Sequence, residues 1–145
     1  MRALLDVNVL IALLDAGHVH HSHAMTWLEN EVHHGWASCP MTQNGCIRIF
    51  SQPAYPNAVP AALAAERLAE ATRHPAHRFW ADDFSLLDEG FVNWRRITGH
   101  RQVTDVYLLA VAVKHGGRFV TFDARFSFGL VVGARQENLV VLTGS

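Results

Sequence analysis

The chain has 145 residues, half of them hydrophobic, which is enough for one domain with a buried core. A formal charge of -1 at pH 7 and a pI near 6.8 exclude a generally basic surface, so any nucleic-acid partner has to be held by a local patch or through a cation. Asp6 and Asn8 interrupt the apolar start as a secretory signal, and no apolar run reaches the roughly 18 residues of a membrane span. A soluble, cytoplasmic protein is expected. Cys39 and Cys46 form no C-x-x-C pair and no disulfide framework, and read as buried reduced thiols.

In chain order, Arg2 to Asp6 predicts a short buried strand running directly into an apolar helix over Val9 to Leu14. Ala24 to Val32 has the spacing of an amphipathic helix that ends at His33, His34 and Gly35. Trp36 to Cys39 predicts a strand stopped by Pro40, and Thr42 to Phe50 a third helix closing before Gln52 and Pro53. Three prolines mark 52–60 as a loop, followed by an alanine-rich helix over Ala61 to Thr72. His77 to Ala81 predicts a strand and Phe84 to Ile97 a helix capped by Asp83 or Ser85, with Asp82 beside it. Asp105 to His115 has the clearest helical periodicity, terminated by Gly116 and Gly117. Arg118 to Phe122 and Leu139 to Leu142 complete the strands.

Short apolar strands alternating with helices predict βαβ units. The expected fold is a single α/β domain over 1–145, with about five mostly parallel strands and helices on both faces.

In such sheets ligands bind beyond the carboxyl ends of the strands. Asp6 ends the first strand, Asp123 follows the strand from Arg118, and Asp105 starts the helix that leads into that strand, so the three are expected at one edge. Taken singly, Asp105 also reads as a helix cap and Asp123 as a turn residue. Asp6 has no such plain reading, because an unpaired carboxylate inside an apolar run costs several kcal/mol, roughly. Three convergent carboxylates repel one another unless a cation neutralises them, and hard oxygen donors suit Mg2+ or Mn2+. Such an ion can activate water against phosphorus.

Four segments resemble the PIN-domain nucleases, in particular the VapC-type toxins of type II toxin-antitoxin pairs. They are Leu5 to Ile11, Thr42 to Arg48, Gln102 to Ala112 and Val120 to Asp123, in the family's order and spacing. The resemblance implies a three-layer α/β/α sandwich and Mg2+- or Mn2+-dependent endonucleolytic cleavage of RNA. It also implies a homodimer and inhibition by a cognate VapB-type antitoxin. Asp6, Asp105 and Asp123 match its acidic positions, Asn8 the residue that orients the first aspartate, and Thr121 a hydroxyl beside the metal. Where many members carry a third-helix glutamate, Asn44 stands here, with Gln43 beside it. Three formal negatives in place of four imply one tightly held ion.

Arg101, Gln102 and Arg48 are candidate RNA contacts, since guanidinium binds phosphate bidentately. Arg95 and Arg96 read as a solvated helix face, and the four tryptophans as core or interface residues. The cluster of His18, His20, His21 and His23 reads as a polar loop capping the second helix, with His21 or His23 able to reach phosphate. Two other functions compete. One is a weakened PIN fold that binds RNA or antitoxin without turnover. The other is a phosphatase with Asp6 as nucleophile, whose D-x-D pattern Asn8 interrupts.

Overall fold

A computed structural model describes residues 1–88 and 90–142. Its five strands are β1 (Ala3–Leu5), β2 (Trp36–Ser38), β3 (His77–Phe79), β4 (Arg118–Thr121) and β5 (Leu139–Val141). They form one all-parallel sheet in the order β3-β2-β1-β4-β5. The helices are α1 (Val7–Leu14), α2 (His21–Glu31), α3 (Pro40–Phe50), α4 (Ala61–Thr72) and α5 (Gln102–Lys114).

Alternation along the strands divides the core. Leu4, Ala37 and Phe119 point to the face covered by α5, whereas Ala3, Leu5, Trp36 and Val120 point to the face covered by α1, α3 and α4. Three layers follow, with strands that are apolar on both faces. Cys39 and Cys46 are buried and unpaired, one in each core. Trp36 and Trp80 are core residues, and Trp94 is exposed. No described helix is long and apolar enough to cross a membrane.

Several expected boundaries move by a few residues, α1 starting at Val7, α2 spanning His21–Glu31 and β3 ending at Phe79, and two further shifts bear on the site. Pro40 starts α3 rather than standing outside it, since the first helical position needs no N–H donor. α5 starts at Gln102, so Asp105 sits one turn inside the helix and is not its cap.

The expected helix over 84–97 is absent apart from a 3-10 turn at Trp94–Arg96; Glu89 lies outside the described residues. The backbone there bonds to a distant segment: Asn93 N–H donates to Leu130 O, and Val132 N–H to Phe91 O, both at 2.9 Å. Phe84, Leu86, Phe91 and Ile97 pack over α5, which is buried all round from Val106 to Ala112. The apolar residues thus serve as a cover for a central helix. Asp83 pairs with Lys114 at 3.0 Å instead of capping, and Ser85 takes part in a local turn with Leu87 and Asp88.

α1 and α3 approach closely at Gly45, where a Cβ would stand 2.6 Å from Val7 Cγ2. Replacing it with valine should overpack this contact and destabilise the protein by about 1–3 kcal/mol. Gly99→Ala, with nothing within 4 Å of its Cβ, should be near neutral. Urea midpoints at unchanged m-value report both; equal midpoints for the two variants would contradict the close approach.

Candidate active site at the carboxyl edge of the sheet

Asp6 follows β1 directly and is the N-cap of α1, a position where aspartate satisfies an otherwise orphaned N–H. Its Oδ1 accepts from Val7 N–H at 2.8 Å, and its Oδ2 accepts from the Thr121 hydroxyl at 2.7 Å. Thr121 is fully buried at the end of β4, and its Oγ1 also accepts the Asp123 N–H at 3.1 Å. One hydroxyl therefore orders both aspartate positions. Asn8 is exposed and makes no hydrogen bond to Asp6 among the described residues, so orientation comes from Thr121 and the helix cap rather than from Asn8.

The structure brings Asp105 and Asp123 into electrostatic range of Asp6. Burial raises the Asp6 carboxyl above its ordinary range, against the hydrogen bonds from Thr121 and Val7, and the charge of Asp123 pushes the same way. Burial pushes Asp105 up to about 7, with the charges of Asp6 and Asp123 adding to it. Among the described residues no hydrogen-bond donor and no cationic side chain reaches Asp105, and no cationic side chain pairs with Asp6. Asp123 accepts from Arg125 N–H at 2.9 Å and Arg125 Nε at 3.3 Å.

Asp15 provides the internal contrast. Burial would raise it too, but hydrogen bonds from Tyr55, Asn57 and the Gly17 N–H outweigh burial and leave its carboxyl below the ordinary range. One buried aspartate is neutralised by donors, while Asp6 and Asp105 keep repulsion that a cation would relieve. That donor set fits a hard divalent ion. The three aspartates do not bring ligand atoms mutually within 4.8 Å; among the described residues only Glu31, His33 and His34 do. This spread suits an ion that keeps much of its water. The Glu31 group lies at the opposite, amino-terminal edge, where Arg118 already engages Glu31 at 3.4 Å.

The third helix adds no charge. Asn44 is exposed and its side chain makes no hydrogen bond among the described residues, whereas Gln43 is half-buried and donates to Ser38 Oγ at 3.0 Å at the end of β2. The burial of Thr42, Gly45, Cys46 and Phe50 sets this face, so Gln43 and not Asn44 turns toward the sheet. Arg48 is exposed on α3 and lines neither cavity described below.

Arg101 and Gln102 line a groove of about 360 Å³ beside Asp123, together with His100 and Arg125. Gln102 spends its Oε1 on the Thr98 N–H and hydroxyl, bracing the rim. The sequence reading missed Arg125; its signal was the aspartate two residues before it at the end of an apolar strand. In the histidine cluster His20 stacks on Phe122 with centroids 4.9 Å apart, next to Asp123, while His21 Nδ1 is bonded to Ala12 O. No histidine side chain caps α2. A second cavity, about 510 Å³ and apolar, lies between α1, α2 and α4.

The PIN domain family matches residues 3–127. Ribonuclease VapC44 of Mycobacterium tuberculosis is 49% identical over 142 residues, covering 98% of this chain and 100% of that protein. Ribonuclease VapC39 of the same organism is 43% identical over 125 residues, covering 86% and 90%. Among solved structures, VapBC2 from Rickettsia felis bound to a DNA fragment from its promoter has a similar fold. Its TM-score is 0.59 at 14% identity, over 97% of each chain. With the family matched over residues 3–127 and 49% identity to a VapC ribonuclease over nearly the whole chain, the chain belongs to the PIN-domain family, within its VapC group.

Proposed function

We propose that this protein is the toxin of a toxin-antitoxin pair, a single-domain, divalent-metal-dependent endoribonuclease acting on an RNA phosphodiester. The observation that carries the reading is the edge of Asp6, Asp105 and Asp123, only partly compensated at Asp6 and uncompensated at Asp105, in a chain 49% identical to a named ribonuclease. RNA as substrate is supported by the ribonuclease relatives and a VapB-type antitoxin by the solved VapBC2 complex, while a homodimer rests on the family resemblance alone.

Asp6, Asp105 and Asp123 would hold the ion, with Mg2+ or Mn2+ suiting an all-oxygen donor set. When bound, the ion supplies activation of water and neutralises charge on the phosphodiester. The chain's own part is positional. Thr121 and the Val7 N–H fix both oxygens of Asp6, so this carboxylate keeps one direction. Burial and the charges of Asp6 and Asp123 push Asp105 up to about 7, and a bound cation would favour its ionised form. Arg125 holds Asp123 through its backbone N–H and its guanidinium. α3 carries no acidic residue at all, which argues for one tightly held ion and favours, as the second reading, a weakened nuclease that binds RNA or antitoxin without turnover. Mg2+-dependent cleavage separates the two.

Asp6→Asn should abolish Mg2+-dependent cleavage of RNA and relieve growth arrest on expression; cleavage at the parent rate would sink the assignment. Thr121→Val should lower metal affinity or activity by about 10–100-fold, the range for residues that orient a ligand. Calorimetric titration should find one tight Mg2+ or Mn2+ site, and two equally tight sites would contradict the reading of α3.

The raised carboxyl of Asp105 also sets a pH dependence. Its folded pKa of about 7 exceeds the ~4 of an unfolded aspartate. Between these values the folded state binds the extra proton, so the metal-free protein loses stability as pH rises from about 4 through 7. Melting in EDTA should show this decline, and Mg2+ should raise Tm more at pH 8 than at pH 5. Asp105→Asn should flatten the EDTA profile. A Tm rise no greater at pH 8 would refute the electrostatic argument.

A further inference from the structure

The groove of about 360 Å³ is lined by Asp123, one member of the aspartate edge, and by two arginines, Arg101 and Arg125, so cationic side chains outnumber the carboxylate there. Its wall carries Thr98, His100, Arg101 and Arg125, with the largely buried Phe126 below. Arg101 is exposed and makes no ion pair and no side-chain hydrogen bond among the described residues. Arg125 is 78% exposed, and its one side-chain bond is the 3.3 Å contact to Asp123. A pair so exposed is weakly held, so the guanidinium is available to a stronger anion. Neither arginine is needed to close the core, yet both stand at the mouth of a cavity that opens onto the acidic cluster. The volume falls in the ~300–1,000 Å³ range of small-ligand sites.

We infer that this groove is a subsite for the nucleotide flanking the scissile bond. Arg101 and Arg125 bind its phosphate, and Phe126 forms the apolar floor beneath its ribose or base. The inference rests on the ribonuclease reading and deepens it. Single-stranded RNA is the form that fits, because a strand with splayed nucleotides can lay one unit at a time against an apolar surface while its phosphates meet guanidinium. Gln102, with its amide oxygen committed to Thr98, shapes the rim rather than reading the strand. Arg125 is the pivotal residue, since it touches Asp123 on one side and the groove on the other.

The test uses a 5′-labelled single-stranded RNA and fluorescence anisotropy across a salt series, in an Asp6→Asn background that removes cleavage from the readout. Arg101→Ala and Arg125→Ala should each weaken binding and flatten the slope of log K against log salt by about 0.7, the value for one lost phosphate contact on a single strand. Arg125→Lys should keep the slope. Arg73→Ala, an exposed arginine at the far edge of the sheet, should leave affinity and slope unchanged. In the cleaving protein, the loss for Arg101→Ala should fall on KM. An arginine that only braces Asp123 would move metal affinity and leave the salt slope alone. Slopes unchanged in both alanine variants, in a parent that cleaves RNA, would overturn the subsite and leave the nuclease reading standing. A parent that neither cleaves nor binds RNA would overturn the nuclease reading, and the subsite with it.

Discussion

The hydroxyl of Thr121 is the point on which the carboxyl edge depends. It donates to Asp6 at the end of β1 and accepts the backbone N–H of Asp123 beyond β4, so two adjacent strands are locked in register through one buried atom. Asp6 extends the junction into α1 by accepting the Val7 N–H, while its own N–H bonds to Val120 O and its carbonyl accepts from Val9 and Leu10. The same carboxylate therefore stabilises a helix start and forms part of the acidic cluster. Stability and chemistry are coupled there: the hydrogen bonds that orient Asp6 also offset part of its burial.

That offset is incomplete, and the comparison with Asp15 shows why. Both side chains are largely buried, and both lie next to α1. Asp15 is surrounded by a phenol, an amide and a backbone N–H, all donors, and its carboxylate is favoured. Asp105 is set in the first turn of a helix buried on every side from Val106 to Ala112, and lies within electrostatic range of two further carboxylates. Nothing in the fold requires an acid at that position, since α5 begins three residues earlier. An aspartate that is uncompensated in the folded chain is placed for something the chain does not itself supply.

Features set by local periodicity were legible in the sequence. The start of β1, the run of α5, and the alternation that assigns Leu4 and Leu5 to opposite faces all follow from spacing. From strand ends alone, the edge that gathers Asp6, Asp105 and Asp123 could be read, because parallel strands all finish on one side. What escaped depended on distant contacts. Phe84, Leu86 and Phe91 are spaced like a helix face, but the backbone at Phe91 and Asn93 is claimed by Leu130 and Val132, some forty residues away in sequence. Asn44 and Gln43 are neighbours that differ only in which side of α3 they occupy. That side is decided by Gly45 meeting Val7 across the α1 contact. Arg125 was invisible as a site residue because its role depends on a groove made by residues 98–102, which are far from it along the chain.

The near-neutral composition takes on meaning once these charges are placed. A protein that bound RNA through its whole surface would need a basic excess, and this one has a formal charge of -1. Charges of both signs are spread over the molecule, but at the carboxyl edge Asp6, Asp105 and Asp123 gather on one side and Arg101 and Arg125 line the groove next to them. Adjacent charges of opposite sign largely cancel beyond a Debye length of about 10 Å. At contact they do not cancel, because the carboxylates attract a cation while the guanidinium groups attract phosphate. A divalent ion shared by three carboxylates would neutralise most but not all of their charge, so the positive charge offered to a phosphate would come from the neighbouring guanidinium groups. For the proposed RNA substrate, recognition at contact range through these groups would not require a basic surface.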